Sequence, residues 1–301
     1  MHALRMKKIL ITGASGMLGR KLTNKLSDLF DVLALSRDQK SSLSLDITNK
    51  DEVHNIFKSF IPDIVINCAA FTNVDKSETE KSLARDVNVK GLENIIKSLP
   101  LKSKIIHIST DYVFDGQSGD YKEDDMKSPI NYYGKTKLES ENMLIGSNRN
   151  YLIIRPNVLY SEENTPFSRT SNSSKPAEHF LSWLLNALSN NERVAVVDDQ
   201  ISNPVYIPDL VNVIATSILV DYTGICHYGS EDVISRYDFA MKVCEIFNLD
   251  SSKIIPINSS DLNQVALRPK KTSLNCKKIV EDLNIELYTT DYSLNRIYSN
   301  K

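Results

Sequence analysis

Long apolar runs are missing from this chain of 301 residues. No stretch approaches the ~20 apolar residues that a membrane-spanning helix requires. Arg5, Lys7 and Lys8 precede only a short apolar run, Ile9 to Ile11, which ends at a Thr-Gly turn. That run is shorter than the apolar core of a signal peptide, and Met1 to Arg5 read as a disordered lead-in. An excess of one charge is also missing: 36 Lys and Arg stand against 38 Asp and Glu, a net charge of -2 with the signs interspersed. Neither nucleic acid nor an anionic membrane is therefore expected as a partner. Cysteine is scarce. Cys68, Cys226, Cys244 and Cys276 are far apart and form no Cys-x-x-Cys pair, which argues against a disulfide framework or a zinc site and for reduced thiols in a cytoplasmic protein. No internal repeat is visible.

What remains is an ordinary globular composition, 41% hydrophobic and 25% charged. The length suits one large α/β domain, or a cofactor domain sharing a cleft with a smaller partner. Apolar runs at Lys8 to Thr12, Asp31 to Ser36, Asp63 to Asn67, Lys104 to Ser109 and Tyr151 to Arg155 read as strands. Between them, apolar residues at helical spacing predict helices over Gly16 to Phe30, Lys50 to Phe60, Ser77 to Leu99 and Tyr133 to Ile145. Strands that are apolar throughout, rather than alternating, belong to a parallel sheet covered on both faces. Repeated βα units imply a doubly wound sheet. After Arg155 the rhythm changes. A polar stretch, Ser161 to Lys175, reads as a mobile loop. Shorter elements follow: a helix over Phe180 to Leu188, a strand over Arg193 to Val197, a Pro-bounded segment over Gln200 to Asp209 and a helix from Asp209. They read as a smaller lobe beside the sheet.

The first strand runs into Gly13-Ala14-Ser15-Gly16-Met17-Leu18-Gly19, and a helix follows. Glycines at this spacing permit a tight turn, a close approach of backbone to a pyrophosphate, and close helix–strand packing. The helix start then offers free N–H groups to phosphate. In this setting the motif points to a Rossmann-type α/β domain that binds a nicotinamide dinucleotide; the plain alternative is a strand–helix turn. The second strand ends in Ser36-Arg37 and carries no acidic residue there for a ribose 2′-hydroxyl. Arg37 can pair with a 2′-phosphate, which favours NADP over NAD. A solvated surface arginine is the alternative, and the neighbouring Asp38 counts against the pairing.

Tyr133 and Lys137 are four residues apart at a helix start, so they share one face. A phenol with a pKa near ~10 is a poor acid–base group at neutral pH, and an ammonium beside it lowers that value. Tyr133 can then pass a proton to a substrate oxygen while hydride arrives at carbon. Tyr132 lacks such a partner, since Thr136 lies four residues on. The fourth strand ends in Ser109-Thr110-Asp111-Tyr112, and strand C-termini are where ligands bind in such sheets. Thr110 is placed to offer a hydroxyl to a carbonyl, or to act as a turn cap.

Together these residues resemble the extended short-chain dehydrogenase/reductase family, and within it the branch that reduces nucleotide-linked 4-keto-6-deoxyhexoses. The resembling stretches are Ile11 to Gly19, Asn67 to Asp75, Asp86 to Asn88, Ser109 to Gly116, Tyr133 to Lys137 and Arg155-Pro156. They continue through Asp199 to Pro204, Gly224 to His227, Ser235 to Tyr237 and Arg268-Pro269, so nearly the whole chain is covered. The resemblance implies hydride transfer from NADPH, or NADH, to C4 of the sugar, in deoxysugar supply for surface polysaccharide. It implies that Tyr133 donates the proton, with Lys137 as its electrostatic partner and Thr110 on the carbonyl. Cofactor contacts are implied at Gly13, Gly16, Met17, Leu18, Gly19, Ser36, Arg37, Asp46, Ile47, Ala69, Ala70, Phe71, Thr72, Asn88, Tyr133 and Lys137. Substrate contacts are implied at Thr110, Asp111, Tyr112, Asn203 and Arg268. Residues 6–160 would then be mainly the NAD(P)-binding domain. Residues 161–301 would be mainly a C-terminal substrate-binding lobe for the sugar nucleotide, with some chain returning to the sheet.

The chain departs from the family pattern on the sugar side. Pro204-Val205 stands where the family usually shows Pro-Thr, Val158 stands where an aromatic can contact the sugar, and the 161–175 loop is unusual. The resemblance allows a homodimer. The C-terminal acidic residues through which some relatives share a metal have no match, so no metal is expected. Two other readings stay open: a non-catalytic NADP-binding regulatory subunit like the methionine adenosyltransferase β subunit, and a nucleotide-sugar epimerase or dehydratase. A dehydratase usually adds acidic residues beside the threonine, whereas Asp111 is followed by Tyr112.

Overall fold

A computed structural model describes residues 5–37, 44–163 and 179–299. Asp38, most of the N-terminal lead-in and most of the 161–175 stretch lie outside the described residues. The first half alternates strand and helix: β1 (Lys8–Thr12), α1 (Met17–Ser27), β2 (Asp31–Leu35), α2 (Lys50–Phe60), β3 (Ile64–Asn67), α3 (Val74–Thr79), α4 (Lys81–Arg85), α5 (Gly91–Ser98), β4 (Lys104–Ile108), α6 (Tyr132–Ile145) and β5 (Asn150–Pro156). The second half adds β6 (Leu159–Tyr160), α7 (Phe180–Ser189), β7 (Val194–Val197), β8 (Ile201–Ser202), β9 (Val205–Tyr206), α8 (Ile207–Leu219), β10 (Gly224–Tyr228), β11 (Ile234–Ser235), α9 (Arg236–Phe247), β12 (Ile254–Ile257), α10 (Lys277–Leu283) and α11 (Thr290–Ser299).

Six strands form one parallel sheet in the order β10-β5-β4-β3-β1-β2. Successive side chains on a strand point to opposite faces, so each strand feeds two cores. Ile9, Ile11, Ile64 and Ile66 pack with Leu22 and Leu26 of α1 and Ile214 of α8. Leu10, Val65, Ile105 and Ile153 pack on the other face with Phe57 of α2, Leu92 of α5 and Leu144 of α6. Each fully buried Leu or Ile adds about 1.5–3 kcal/mol. This two-sided burial is why the strands read as unbroken apolar runs. The order in which successive strands are added reverses between β1 and β3, and the cleft of such a sheet opens at the strand ends there. A third core joins α7, β7 and α9 through Leu181, Leu184, Val194, Phe239, Val243 and Phe247. The small pairs β6–β9, β8–β11 and β7–β12 complete this region.

The single helix expected over Ser77 to Leu99 is instead broken. Asn73 caps α3 by accepting from Lys76 N at 2.9 Å. The chain leaves helical geometry at Glu80, and Asp86–Lys90 form a π-helical turn between α4 and α5. The wider turn aims Asn88 inward: its Oδ1 accepts from Phe71 N at 2.8 Å, and its Nδ2 donates to Phe71 O at 3.2 Å and Thr136 Oγ1 at 2.9 Å. Apolar spacing registers neither the break nor the widened turn.

Candidate active site

The glycine loop opens one end of a cleft of about 750 Å³. Gly13 adopts φ +67°, and a Cβ there would lie 2.6 Å from Ala69 N, so only glycine lets β1 turn this close to the chain after β3. A Cβ on Gly19 would overlap Gly13 O, so α1 can pack on the loop only without one. Gly16 caps α1 with no side-chain hydrogen bond, and the first turn holds no acidic residue. The helix therefore presents free N–H groups and a positive end. Gly13, Gly16, Met17, Leu18, Gly19, Ser36, Arg37, Asp46, Ile47, Ala69, Ala70, Phe71 and Thr72 all line the cleft. Asp46 also accepts from Thr48 N and Thr48 Oγ1 at 2.9 and 2.7 Å, while Asn49 caps the next helix. Asn88 is buried behind the lining and acts by holding Phe71.

Thr110, Asp111, Tyr112, Tyr133 and Lys137 line the same cleft. Thr110 sits in extended backbone after β4. Its hydroxyl accepts from Tyr112 N at 3.2 Å and donates to Asp111 Oδ1 at 3.0 Å. It is thus both the cap and a cleft group. Asn131 starts α6 by accepting from Gly134 N at 2.8 Å, which fixes where Tyr133 emerges. The Tyr112 ring meets Tyr133 edge-on, with centroids 6.0 Å apart. Burial raises the Tyr133 phenol pKa, Thr110 lowers it, and Asp111 and Tyr112 raise it further. The phenol therefore keeps its proton at neutral pH; the lowering by Lys137 expected from spacing is absent. Lys137 Nζ donates instead to Ile108 O at 2.7 Å. Burial pulls the lysine down to about 8, with Glu141 and Cys68 acting in the opposite direction. Cys68 also lines the cleft, and burial pushes its thiol up to about 12, so it stays protonated.

The residues behind Tyr112 were less legible: Gln200 and Arg268 do not line the cleft, and Arg236 lines only the recess beside it. Arg236 opens α9 where Ser235 and Asp238 form a capping box. Its Nε donates to Gln200 Oε1 at 3.0 Å, and, against the burial that raises the Tyr112 phenol pKa, its charge lowers it. Arg268 holds Asp75 at 2.9 Å and also acts on Tyr112. Asp111 Oδ2, Gln200 Nε2 and Arg268 Nη1 are buried without a hydrogen-bond partner. Such orphaned atoms are rare and call for an explanation. Burial also raises Asp111 to about 6, against the lowering effect of the Thr272 and Thr110 hydroxyls. Asn203 does not line the cleft. Its Oδ1 accepts from Asn157 Nδ2 at 3.1 Å and Leu274 N at 2.9 Å, so it braces Asn157, which does. Val158 lines the cleft and a small aromatic recess beside Phe180 and Phe239.

Residues 6–301 match the model of the RmlD substrate binding domain. The chain belongs to the RmlD substrate binding domain family. Among similar curated proteins, a dTDP-4-dehydrorhamnose reductase from Aggregatibacter actinomycetemcomitans is 37% identical over 298 residues, covering 93% of this chain and 95% of the relative. A methionine adenosyltransferase 2 subunit beta from Danio rerio is 28% identical, covering 95% and 88%. Among solved structures, dTDP-4-dehydrorhamnose reductase from Bacillus anthracis in complex with NADP superposes with a TM-score of 0.87 at 29% identity, covering 98% of this chain and all of that one. The doubly wound α/β architecture is thus common to this RmlD-family chain and that reductase.

Proposed function

We propose that this chain uses NADPH to reduce the C4 keto group of a nucleotide-linked 4-keto-6-deoxyhexose, the activity named for its dTDP-4-dehydrorhamnose reductase relatives. Residues 6–160 serve mainly the dinucleotide and residues 161–301 mainly the sugar nucleotide. The observation that carries the reading is one cleft joining the open start of α1 to Thr110, Tyr133 and Lys137. The residues fit the cofactor: the start of α1 offers uncapped N–H groups suited to a pyrophosphate, and Arg37, on the same cleft, offers a cation suited to a 2′-phosphate. When bound, NADPH supplies the hydride. Tyr133, kept protonated by burial, gives its proton to the C4 oxygen while Thr110 orients that oxygen. Lys137, whose Nζ is held by Ile108 O, lines the same cleft and suits a hydroxyl of the nicotinamide ribose. Arg236 and Arg268, both acting on Tyr112, suit the pyrophosphate of the sugar nucleotide. The open Asp111 Oδ2 suits a sugar hydroxyl.

The test is NADPH consumption on adding dTDP-4-keto-L-rhamnose, with GDP- and UDP-linked 4-keto sugars alongside. Tyr133→Phe is expected to lose about 10²–10⁴-fold in kcat with cofactor affinity kept. No turnover on any of these sugars, with co-purification of a methionine adenosyltransferase, would favour the regulatory-subunit reading. Isomerisation without net NADPH use would favour an epimerase. Light scattering decides whether the working unit is the homodimer.

A further inference from the structure

A line of buried polar side chains crosses the sheet beneath the cleft. Thr12 Oγ1 on β1 donates to Asn67 Oδ1 on β3 at 2.6 Å, and Asn67 Nδ2 donates to His107 Nδ1 on β4 at 3.2 Å. His107 Nε2 lies 3.2 Å from Ser140 Oγ and 3.3 Å from Lys137 Nζ on α6. None of the five is more than 2% exposed. The protons follow from the partners. Thr12 makes Asn67 Oδ1 an acceptor, so the amide nitrogen faces His107 and Nδ1 carries no proton. The neutral ring then holds its proton on Nε2. Ser140 donates its own hydroxyl proton to Lys137 O at 2.7 Å, which leaves its oxygen free to accept from Nε2–H. Burial, with the Lys137 charge, holds the His107 pKa well below its ordinary value, so the ring stays neutral.

An N–H beside Nζ distinguishes the two forms of the lysine. An ammonium has only donors and faces Nε2–H unfavourably. An amine has a lone pair to receive it, and still donates to Ile108 O. We propose that His107 is a positioning residue that sets the charge of Lys137, supporting the amine against the ammonium through its Nε2–H. Its effect on turnover rests on the reductase reading; its effect on the lysine does not. Other groups around Nζ are Glu141 one turn along α6, itself paired with Arg155 on β5, Cys68 after β3, and Tyr133 one turn back. Glu141 and Cys68 favour the ammonium, so His107 and burial oppose them.

The test is the Lys137 titration in the unliganded full-length chain, followed by NMR of 13Cε-labelled lysine and assigned by its loss in Lys137→Met. His107→Gln, whose amide can turn a carbonyl toward Nζ, is expected to raise the lysine by about 0.5–1 pH unit, the size of one net hydrogen bond. Ser140→Ala removes the competing acceptor and leaves Nε2–H to Lys137 alone, so the value should fall. The alkaline limb of kcat/KM should move with each variant. A folded His107→Gln whose lysine stays within roughly a fifth of a unit of wild type overturns the proposal. If His107→Gln does not fold, an upward or absent shift in Ser140→Ala overturns it equally. Opposite shifts without any turnover would support the role of His107 and remove only the reductase reading.

Discussion

Arg155 and Glu141 form an ion pair in which each side chain is 1% exposed. Arg155 Nε and Nη2 donate to the two carboxylate oxygens at 3.0 and 2.7 Å, and Nη1 reaches Glu123 O and His227 Nε2 at 3.1 and 3.2 Å. The guanidinium also lies 5.3 Å from the Phe114 ring centre. Among the described residues, Arg155→Met would leave the buried carboxylate with only the Ser109 hydroxyl as a side-chain donor. Removing one partner of a buried pair costs about 3–5 kcal/mol, whereas replacing both by apolar groups is often near neutral. Arg155→Met is therefore expected to lose about 3–5 kcal/mol. Arg155→Met with Glu141→Leu should recover all but about 1 kcal/mol, the lost acceptor of Ser109. Urea unfolding followed by far-UV circular dichroism and by the fluorescence of Trp183 reads the difference. A double variant no more stable than the single, or a single costing under about 1 kcal/mol, would refute the argument that charge burial dominates here.

Gly19→Ala must push its Cβ into Gly13 O, with Ala14 Cα at 2.7 Å, so the loop shifts; NADPH affinity should fall at least about tenfold, roughly the cost of an overpacked contact, measured by isothermal titration. Arg37→Ala should weaken NADPH by about 10–100-fold, the range of one charge-assisted hydrogen bond, and leave NADH unchanged; an equal loss for both would remove Arg37 from the 2′-phosphate. The Lys137 value of about 8 lies below its ordinary 10.5. Between these values the unfolded chain binds more protons, so stability rises with pH there and is lower at neutral pH. Lys137→Met should consequently raise the Tm of the unliganded chain at pH 7, with the gain fading as pH rises through that window. NADPH affinity should be flat below pH about 8 and decline above it, as the ammonium is lost.

Strands were the most readable elements because burial on two faces leaves no polar residues in them. The glycine loop was readable because turn, phosphate approach and helix packing each need a missing Cβ at a fixed offset. That Tyr133 and Lys137 share a helix face follows from spacing alone. The proton affinity of Tyr133 does not, since it depends on burial and on Thr110, Asp111 and Tyr112 arriving from β4. Asn88 was legible as a residue of the site's neighbourhood, but its contact with Phe71 depends on a π turn that periodicity averages away. Arg236 sits in a stretch that resembles the family, yet only the fold brings it to Tyr112, more than one hundred residues earlier in the chain. His107 reads as one more residue of a buried strand until Asn67 and Ser140 are placed on either side of it.

The sixth strand sets the order in which this protein can be made. His227 on β10 lies opposite Arg155 on β5, 72 positions earlier in the chain. A nascent chain that has emerged only through β5 carries Ile153 and Ile154 on an unpaired edge, a template for association with other chains. The sheet closes only after residue 228 has left the ribosome, and that long-range pairing slows folding. The same geometry governs any exchange of specificity between relatives. A chimera cut near residue 160 takes β10 from one parent and β5 from the other. A junction beyond residue 228 keeps the six strands of a single parent.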